Sequence, residues 1–226
     1  MEKNQFDLCL AVLRRLGEQR LLDHFILIGS WALIFYDKYF AGQGYAPSIR
    51  TRDIDFLLPL PLKMRESVDI PKLLEDLGFI VDHVGQKGFI RLSHPELIVE
   101  FLVPERGRGS DQPYSLPKLK INAQPLRYLD LLALNIITVK HDDILIKVPH
   151  PAAFALHKLI IFKRRAKKFK AGKDVEQALM IMDMLIKKRD QEQIIKIFRS
   201  LPNAWQKTIA NNLIFLERSD VIDLFK

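Results

Sequence analysis

The feature that most constrains this chain is a pair of carboxylates inside an apolar stretch. Arg52-Asp53-Ile54-Asp55-Phe56-Leu57-Leu58 is dominated by large apolar residues and stops at Pro59-Leu60-Pro61. Side chains alternate between the faces of a strand, so Asp53 and Asp55 project from the same side, close together. Two carboxylates this near each other resist shared ionisation unless a cation sits between them. The flanking residues are apolar enough to be buried, so two acids among them need a reason. Hard oxygen donors suit Mg²⁺ or Mn²⁺, which keep waters and take phosphate oxygens as co-ligands.

Glu100 fits the same logic. It is the single polar residue of Leu97-Ile98-Val99-Glu100-Phe101-Leu102-Val103, and a buried lone carboxylate is costly unless it is paired or ligating. If its strand neighbours Asp53–Asp55, the three acids form one cluster able to hold two metals about 3.5–4 Å apart. A salt bridge from Glu100 to Arg91 on an adjacent strand is the plainer alternative. Gly29–Ser30 follows a short apolar strand and opens a helix. Glycine lets the backbone approach a phosphate closely, and the N–H groups of a helix start, with the Ser hydroxyl, can hold a triphosphate. A simple turn with a Ser N-cap is the alternative here.

Periodicity organises the rest. Asn4 to Leu22 has apolar residues at helical spacing. Phe25–Ile28 and Arg52–Leu58 are strands, and Ile70–Leu77 is a helix ended by Gly78. Three strand candidates follow: Phe79–Val84, Gly88–Leu92 and Leu97–Val103. The segment Glu105 to Gly109 is a polar loop. Asn135 to Val148 is a hairpin turning at Asp142–Asp143. Beyond Pro149 and Pro151 every pattern is helical. The expected architecture is therefore α+β: a mixed part, residues 1–148, and an all-helical part, residues 149–226.

The net charge of +8 points to an anionic partner. Eight Lys/Arg lie between Lys158 and Lys173, so this one segment can account for the excess; a solvated helix face is the alternative. Cys9 sits in an apolar pattern as a small core residue, and a lone cysteine excludes a disulfide framework or a Cys-based zinc site. The six His residues lack zinc-ligand spacing. No apolar run approaches the roughly 18 residues of a membrane helix. The polar N-terminus does not suit a secretory leader, and a cytoplasmic location without membrane attachment is expected. Trp31 is a candidate for stacking on a base or for the core. Arg50 and Arg52 flank the acids and could neutralise them or contact phosphate.

Gly29–Ser30, then Asp53/Asp55 two apart on a strand, then Glu100 on a later strand: this order resembles the signature of the polymerase β-like nucleotidyltransferase superfamily. The resemblance implies a mixed nucleotidyltransferase-type sheet with helices on one side, and two-metal transfer of a nucleotide from an NTP to an acceptor with release of pyrophosphate. It implies that Asp53 and Asp55 hold both metals, Mg²⁺ or Mn²⁺, and that Glu100 completes the metal site facing the acceptor and helps deprotonate its hydroxyl. The bacterial branch that includes AbiEii-like toxin enzymes is the nearest in pattern, because there a basic helix follows the sheet domain and an acid comes later. That carry-over makes Lys158 and Lys163 triphosphate clamps and gives Asp174 a catalytic or metal-supporting role. A snorkelling lysine on an apolar face is the alternative for Lys158, and Asp174-x-x-Gln177 is also a good capping box. Ser30 and Asp53 stand further apart than in compact members of the superfamily. The extra length is the loop over residues 36–50, a lid or an acceptor-binding feature. The acceptor expected is an RNA end, a protein or a small molecule, with the basic segment leaning to RNA. A non-catalytic nucleotide- or RNA-binding module of the same fold, working with an antitoxin-like protein, is the alternative.

Overall fold

Residues 3–47, 51–105, 107, 109 and 112–226 are described by the computed structural model. Arg50, expected beside the acids, and Arg106 and Arg108 of the 105–109 loop lie outside the described residues. The chain forms two compact units, one of residues 1–38 and 46–149, the other of residues 39–45 and 150–226.

In the first unit, α1 (Lys3–Glu18) buries Cys9, Leu10, Val12, Leu13 and Leu16 along one stripe. Burial pushes the Cys9 thiol up, out of any nucleophilic range. The helix stops short of Leu22 because Arg20 takes a left-handed conformation, φ 56°, and a 3₁₀ turn, Leu21–Asp23, follows. Next come β1 (Ile26–Ile28), a 3₁₀ helix over Gly29–Tyr36, β2 (Asp53–Leu57) and α2 (Ile70–Glu75). α2 is capped by Asp69, whose side chain accepts from the Lys72 N–H at 3.1 Å. β3 (Ile80–Val84), β4 (Phe89–Ser93), β5 (Ile98–Pro104), β6 (Tyr114–Leu116) and β7 (Ile121–Leu126) follow. The unit ends with α3 (Leu129–Leu134), β8 (Ile136–His141) and β9 (Ile144–Pro149).

The sheet is mixed, with strands in the order β1-β2-β5-β4-β3 and β7 attached to both β5 and β6. β2 and β5 run parallel, as do β5 and β7; the remaining pairs are antiparallel. β6 and β7 were not expected from the sequence, although Ile121-Asn122-Ala123-Gln124 alternates between buried apolar and less buried polar residues. Ile54 and Phe56 of β2 and Val99 and Phe101 of β5 are buried on one face. The rings of Phe25, Phe56 and Phe101 meet there at 6.0–6.1 Å. Burying such side chains stabilises by about 1.5–3 kcal/mol each, which fixes which face of β2 and β5 turns inward. The β8–β9 hairpin turns at Asp142, φ 51°, as its sequence suggests.

The second unit is helical: α4 (Pro151–Ile161), a 3₁₀ turn Phe162–Arg164, α5 (Lys168–Lys187), α6 (Gln191–Ser200), α7 (Asn203–Phe215) and α8 (Ser219–Asp223). α4 is buried from Pro151 to Ile160, the mark of a helix surrounded by others, and α5, α6 and α7 pack on it. Asn212, buried on α7, donates to the Leu159 carbonyl at 2.7 Å. Residues 39–45 belong to this unit through specific bonds. The Tyr39 hydroxyl donates to Asp190. His150 Nδ1 accepts from the Ala152 N–H at 3.1 Å, which leaves Nε2 to carry the proton and donate to the Tyr39 oxygen at 3.0 Å. Lys187 Nζ donates to the Gln43 carbonyl at 2.7 Å. Among the described residues no helix is long and apolar enough to cross a membrane.

Candidate active site

The acids are positioned by strand register. β2 and β5 pair in parallel with Asp53 opposite Ile98 and Asp55 opposite Glu100. Directly opposed residues share a face, and so do residues two apart on one strand. Asp53, Asp55 and Glu100 therefore lie on one face of two neighbouring strands, and Ile54, Phe56, Val99 and Phe101 take the other. All three acids are half-buried. Among the described residues no three His, Cys, Asp or Glu side chains are arranged to hold an ion as they stand. What β2 and β5 supply is a shared face of hard oxygen donors.

Gly29–Ser30 arrives at the same place from β1. Ile28 is paired with Asp55, so the chain turns out of β1 next to that carboxylate. Gly29 has φ +69°, and a Cβ there would collide with Asp55 Oδ2 and stand 3.4 Å from its Cγ. Both the left-handed conformation and the close approach require glycine. The helix that follows is 3₁₀ rather than α. Ile28 occupies its N-cap position without a side-chain capping bond, and Ser30 lies in its first turn, so the N-cap alternative for Ser30 does not hold. Trp31 is fully buried, which makes it a core residue rather than a base-stacking platform. Its Nε1 has no hydrogen-bond partner among the described residues.

The row of opposed residues continues past Glu100. Arg91 on β4 is opposite Glu100, and Asp82 on β3 is opposite Arg91. Arg91 donates to Asp82 Oδ2 through Nε at 3.0 Å and Nη2 at 2.8 Å, and Ser93 Oγ donates to the same oxygen at 3.2 Å. These bonds hold the Asp82 carboxyl below its usual range. One sheet face thus carries Asp55, Glu100, Arg91 and Asp82 on four successive strands. Asp82 was not singled out from sequence; its only signal is a charge one strand away from Arg91, visible once the register is known. Arg52 is exposed and donates through Nη2 to the His94 carbonyl at 2.9 Å.

The remaining candidates lie in the helical unit. Lys158 on α4 and Asp174 on α5 are buried, with relative exposures of 6% and 4%. Lys158 Nζ donates to Asp174 Oδ1, and Arg165 Nε donates to Oδ2 at 2.7 Å. Burial works against ionisation of Asp174, but Lys158 and Arg165 outweigh it and hold the carboxyl below its ordinary range. Burial pulls the Lys158 ammonium down, with Asp174 opposing. Neighbouring His157 is buried and held near a pKa of about 3, by burial first and by Lys158 second. Its Nε2 has no hydrogen-bond partner among the described residues. The capping-box alternative for Asp174 fails because α5 begins at Lys168 and Asp174 sits in its second turn. Lys158 does not snorkel: its ammonium meets Asp174 inside the unit. Lys163 is exposed and lies over the Phe215 ring at 4.1 Å from the centroid. The basic segment is not one helix. α4 ends at Ile161, and Arg165 has extended backbone before α5 resumes.

A family model described as Nucleotidyltransferase matches residues 8–202. No curated protein matches the sequence at a meaningful level. Two solved structures share the architecture. The antibiotic-resistance factor ANT(2'')-Ia in solution has a TM-score of 0.50 at 12% identity, with 97% of this chain and 98% of that chain covered. The antigenic nucleotidyltransferase-like protein from Paracoccidioides brasiliensis has a TM-score of 0.50 at 15% identity, with 96% and 91% covered. Likeness at such identity is one of fold, a mixed α+β nucleotidyltransferase sheet with a helical C-terminal region. The family match runs through most of the chain, and on it the chain belongs to the nucleotidyltransferase family and is a nucleotide-transferring enzyme.

Proposed function

We propose that this chain transfers a nucleotide from an NTP to an acceptor hydroxyl, RNA being favoured over a protein or a small molecule, with a divalent cation held by Asp53, Asp55 and Glu100. The observation that carries the reading is the register that puts these acids on one face, with Gly29 pressed against Asp55. The donor set is all carboxylate, which fits Mg²⁺ or Mn²⁺. Such a cation supplies charge neutralisation on the triphosphate and lowers the barrier to attack at the α-phosphorus. The chain's own residues do the remainder. Gly29 and Ser30 bring backbone N–H groups and a hydroxyl to the phosphates. Asp53 and Asp55 fix the donor, and Glu100 accepts the proton of the attacking hydroxyl. The acceptor oxygen bonds to the α-phosphorus, the α–β bridging bond breaks, and pyrophosphate leaves. In the helical unit we assign phosphate binding to Lys163, which is exposed, and to Lys158, which Asp174 orients together with Arg165. Arg52 is assigned the outer edge of the acid face. The net charge of +8 favours a polyanionic acceptor, and the basic segment after the sheet unit favours the AbiEii-like branch.

The test is incubation of the purified chain with Mg²⁺, α-labelled NTPs and total cellular RNA, with Asp53→Ala as control. Label should enter RNA, disappear with ribonuclease, and be lost with Asp53→Ala or a chelator. Absence of transfer to RNA, protein or small molecules of a cell extract would overturn the reading.

A further inference from the structure

Residues 163–173 hold seven Lys or Arg and no acid. Residues 163–170 are all exposed. Asp174 ties this turn down from beneath: its two oxygens take Lys158 from α4 and Arg165 from the turn itself, so the backbone between α4 and α5 is pinned while Lys163, Lys167, Lys168 and Lys170 stay exposed. A solvated charge run would have no reason to carry large apolar side chains in the open. This one does. Phe169, between Lys168 and Lys170, is 68% exposed, and Phe215 and Ile214 at the end of α7 are 66% and 63% exposed. Lys163 joins the two parts by lying over the Phe215 ring at 4.1 Å.

We propose that the turn between α4 and α5, with the end of α7, is a docking surface for single-stranded RNA. Lys167, Lys168 and Lys170 track the phosphates, and Phe169 and Phe215 stack on bases. The choice of RNA rests on the nucleotidyl-transfer reading above, and the chemistry of the surface supports it. Cations interleaved with planar, exposed rings match unpaired nucleotides, whose phosphates need charge and whose bases need a flat apolar face. An anionic lipid surface would need a continuous apolar helix face, whereas the exposed Phe169 and Phe215 stand on two different helices with Lys163 lying over the second ring. A duplex would use the lysines and leave the rings idle.

The experiment is fluorescence anisotropy of a labelled, unstructured RNA 20-mer with the full-length chain carrying Asp53→Ala, which separates binding from turnover. Binding should weaken steeply with salt. Lys167→Ala, Lys168→Ala and Lys170→Ala together should flatten the slope of log K against log salt by about 2, roughly 0.7 per phosphate contact. Phe169→Ala and Phe215→Ala should each weaken binding about ten-fold while leaving that slope unchanged. All five side chains are exposed, so the variants should unfold at the parent temperature. The surface is refuted if the Phe variants bind like the parent, if a duplex of equal length binds as tightly, or if anionic vesicles compete better than RNA. Tight RNA binding without label transfer by the wild-type chain would overturn the catalytic reading and leave the surface standing. Transfer to a non-RNA acceptor with no RNA binding would do the reverse.

Discussion

Gly29 and Asp55 touch where no side chain fits: a Cβ on residue 29 would overlap Asp55 Oδ2, and residue 29 is held at φ +69°. The turn to which we assign phosphate binding is thereby locked to one of the acids. Gly29→Ala should cost about 1–2 kcal/mol from the left-handed backbone alone. By displacing Asp55 it should lower nucleotide transfer at least ~100-fold, since small misplacements of reacting groups cost that much. Thermal unfolding and initial transfer rates check both. Wild-type activity in Gly29→Ala would show that the contact with Asp55 has no bearing on the reaction.

The acid face should separate stability from metal response. In metal-free buffer Asp53→Asn removes like-charge repulsion, so it should unfold at or above the wild-type temperature. Adding Mn²⁺ with a non-hydrolysable NTP at 100 times the dissociation constant should stabilise the wild type by about 2.7 kcal/mol and the variant by little. Differential scanning fluorimetry with and without Mn²⁺ makes the comparison. An equal shift in both proteins would remove Asp53 from the metal site.

The Lys158–Asp174–Arg165 network predicts strong non-additivity. Asp174→Ala leaves a buried ammonium without its anion and should destabilise by roughly 3–5 kcal/mol. Asp174→Leu combined with Lys158→Met replaces the pair with apolar groups of similar size and should recover most of that loss. Urea unfolding of the two variants measures it.

His157 sets a pH window. Its ordinary value is 6.5, and burial with Lys158 beside it holds it near 3 in the folded chain. Below about 6.5 the unfolded chain takes up a proton that the folded chain refuses until about 3. Folded stability therefore falls as pH drops across that window, by about 1.4 kcal/mol per pH unit at most from this one group. Asp174, whose carboxyl is held low by Lys158 and Arg165 against burial, adds a loss in the same direction at still lower pH. His157→Leu should make denaturant-derived stability markedly flatter between pH 6 and 4. An unchanged pH profile in that variant would place the acid sensitivity elsewhere.

Much of the sheet was legible because its signals are local. Alternation along 53–57 and 98–104 sets which side chains face inward, and a one-residue slip would bury Asp55 and Glu100 while exposing Phe56 and Phe101. The hairpin at Asp142 is equally local. β6 and β7 were not legible: the alternation over 121–124 is short and is cut by Pro125, and β7 forms because the end of β5, past its pairing with β4, offers it an edge, with β6 then adding to β7. Asp174-x-x-Gln177 carries a sound capping signature, yet the helix begins six residues earlier, because Asp174 is needed inside to meet Lys158 and Arg165.

By itself the sequence determined that Asp53 and Asp55 share a face and that Glu100 interrupts an apolar strand, because the two-residue period of a strand is a property of the chain alone. Only the tertiary structure decided that Glu100 stands opposite Asp55, that Gly29 closes on the same carboxylate, and that residues 39–45 join the helical unit through Tyr39, His150 and Asp190. Those pairings join residues 26 to 151 positions apart, where no local pattern reaches, and they are set by which buried faces and polar groups can satisfy one another.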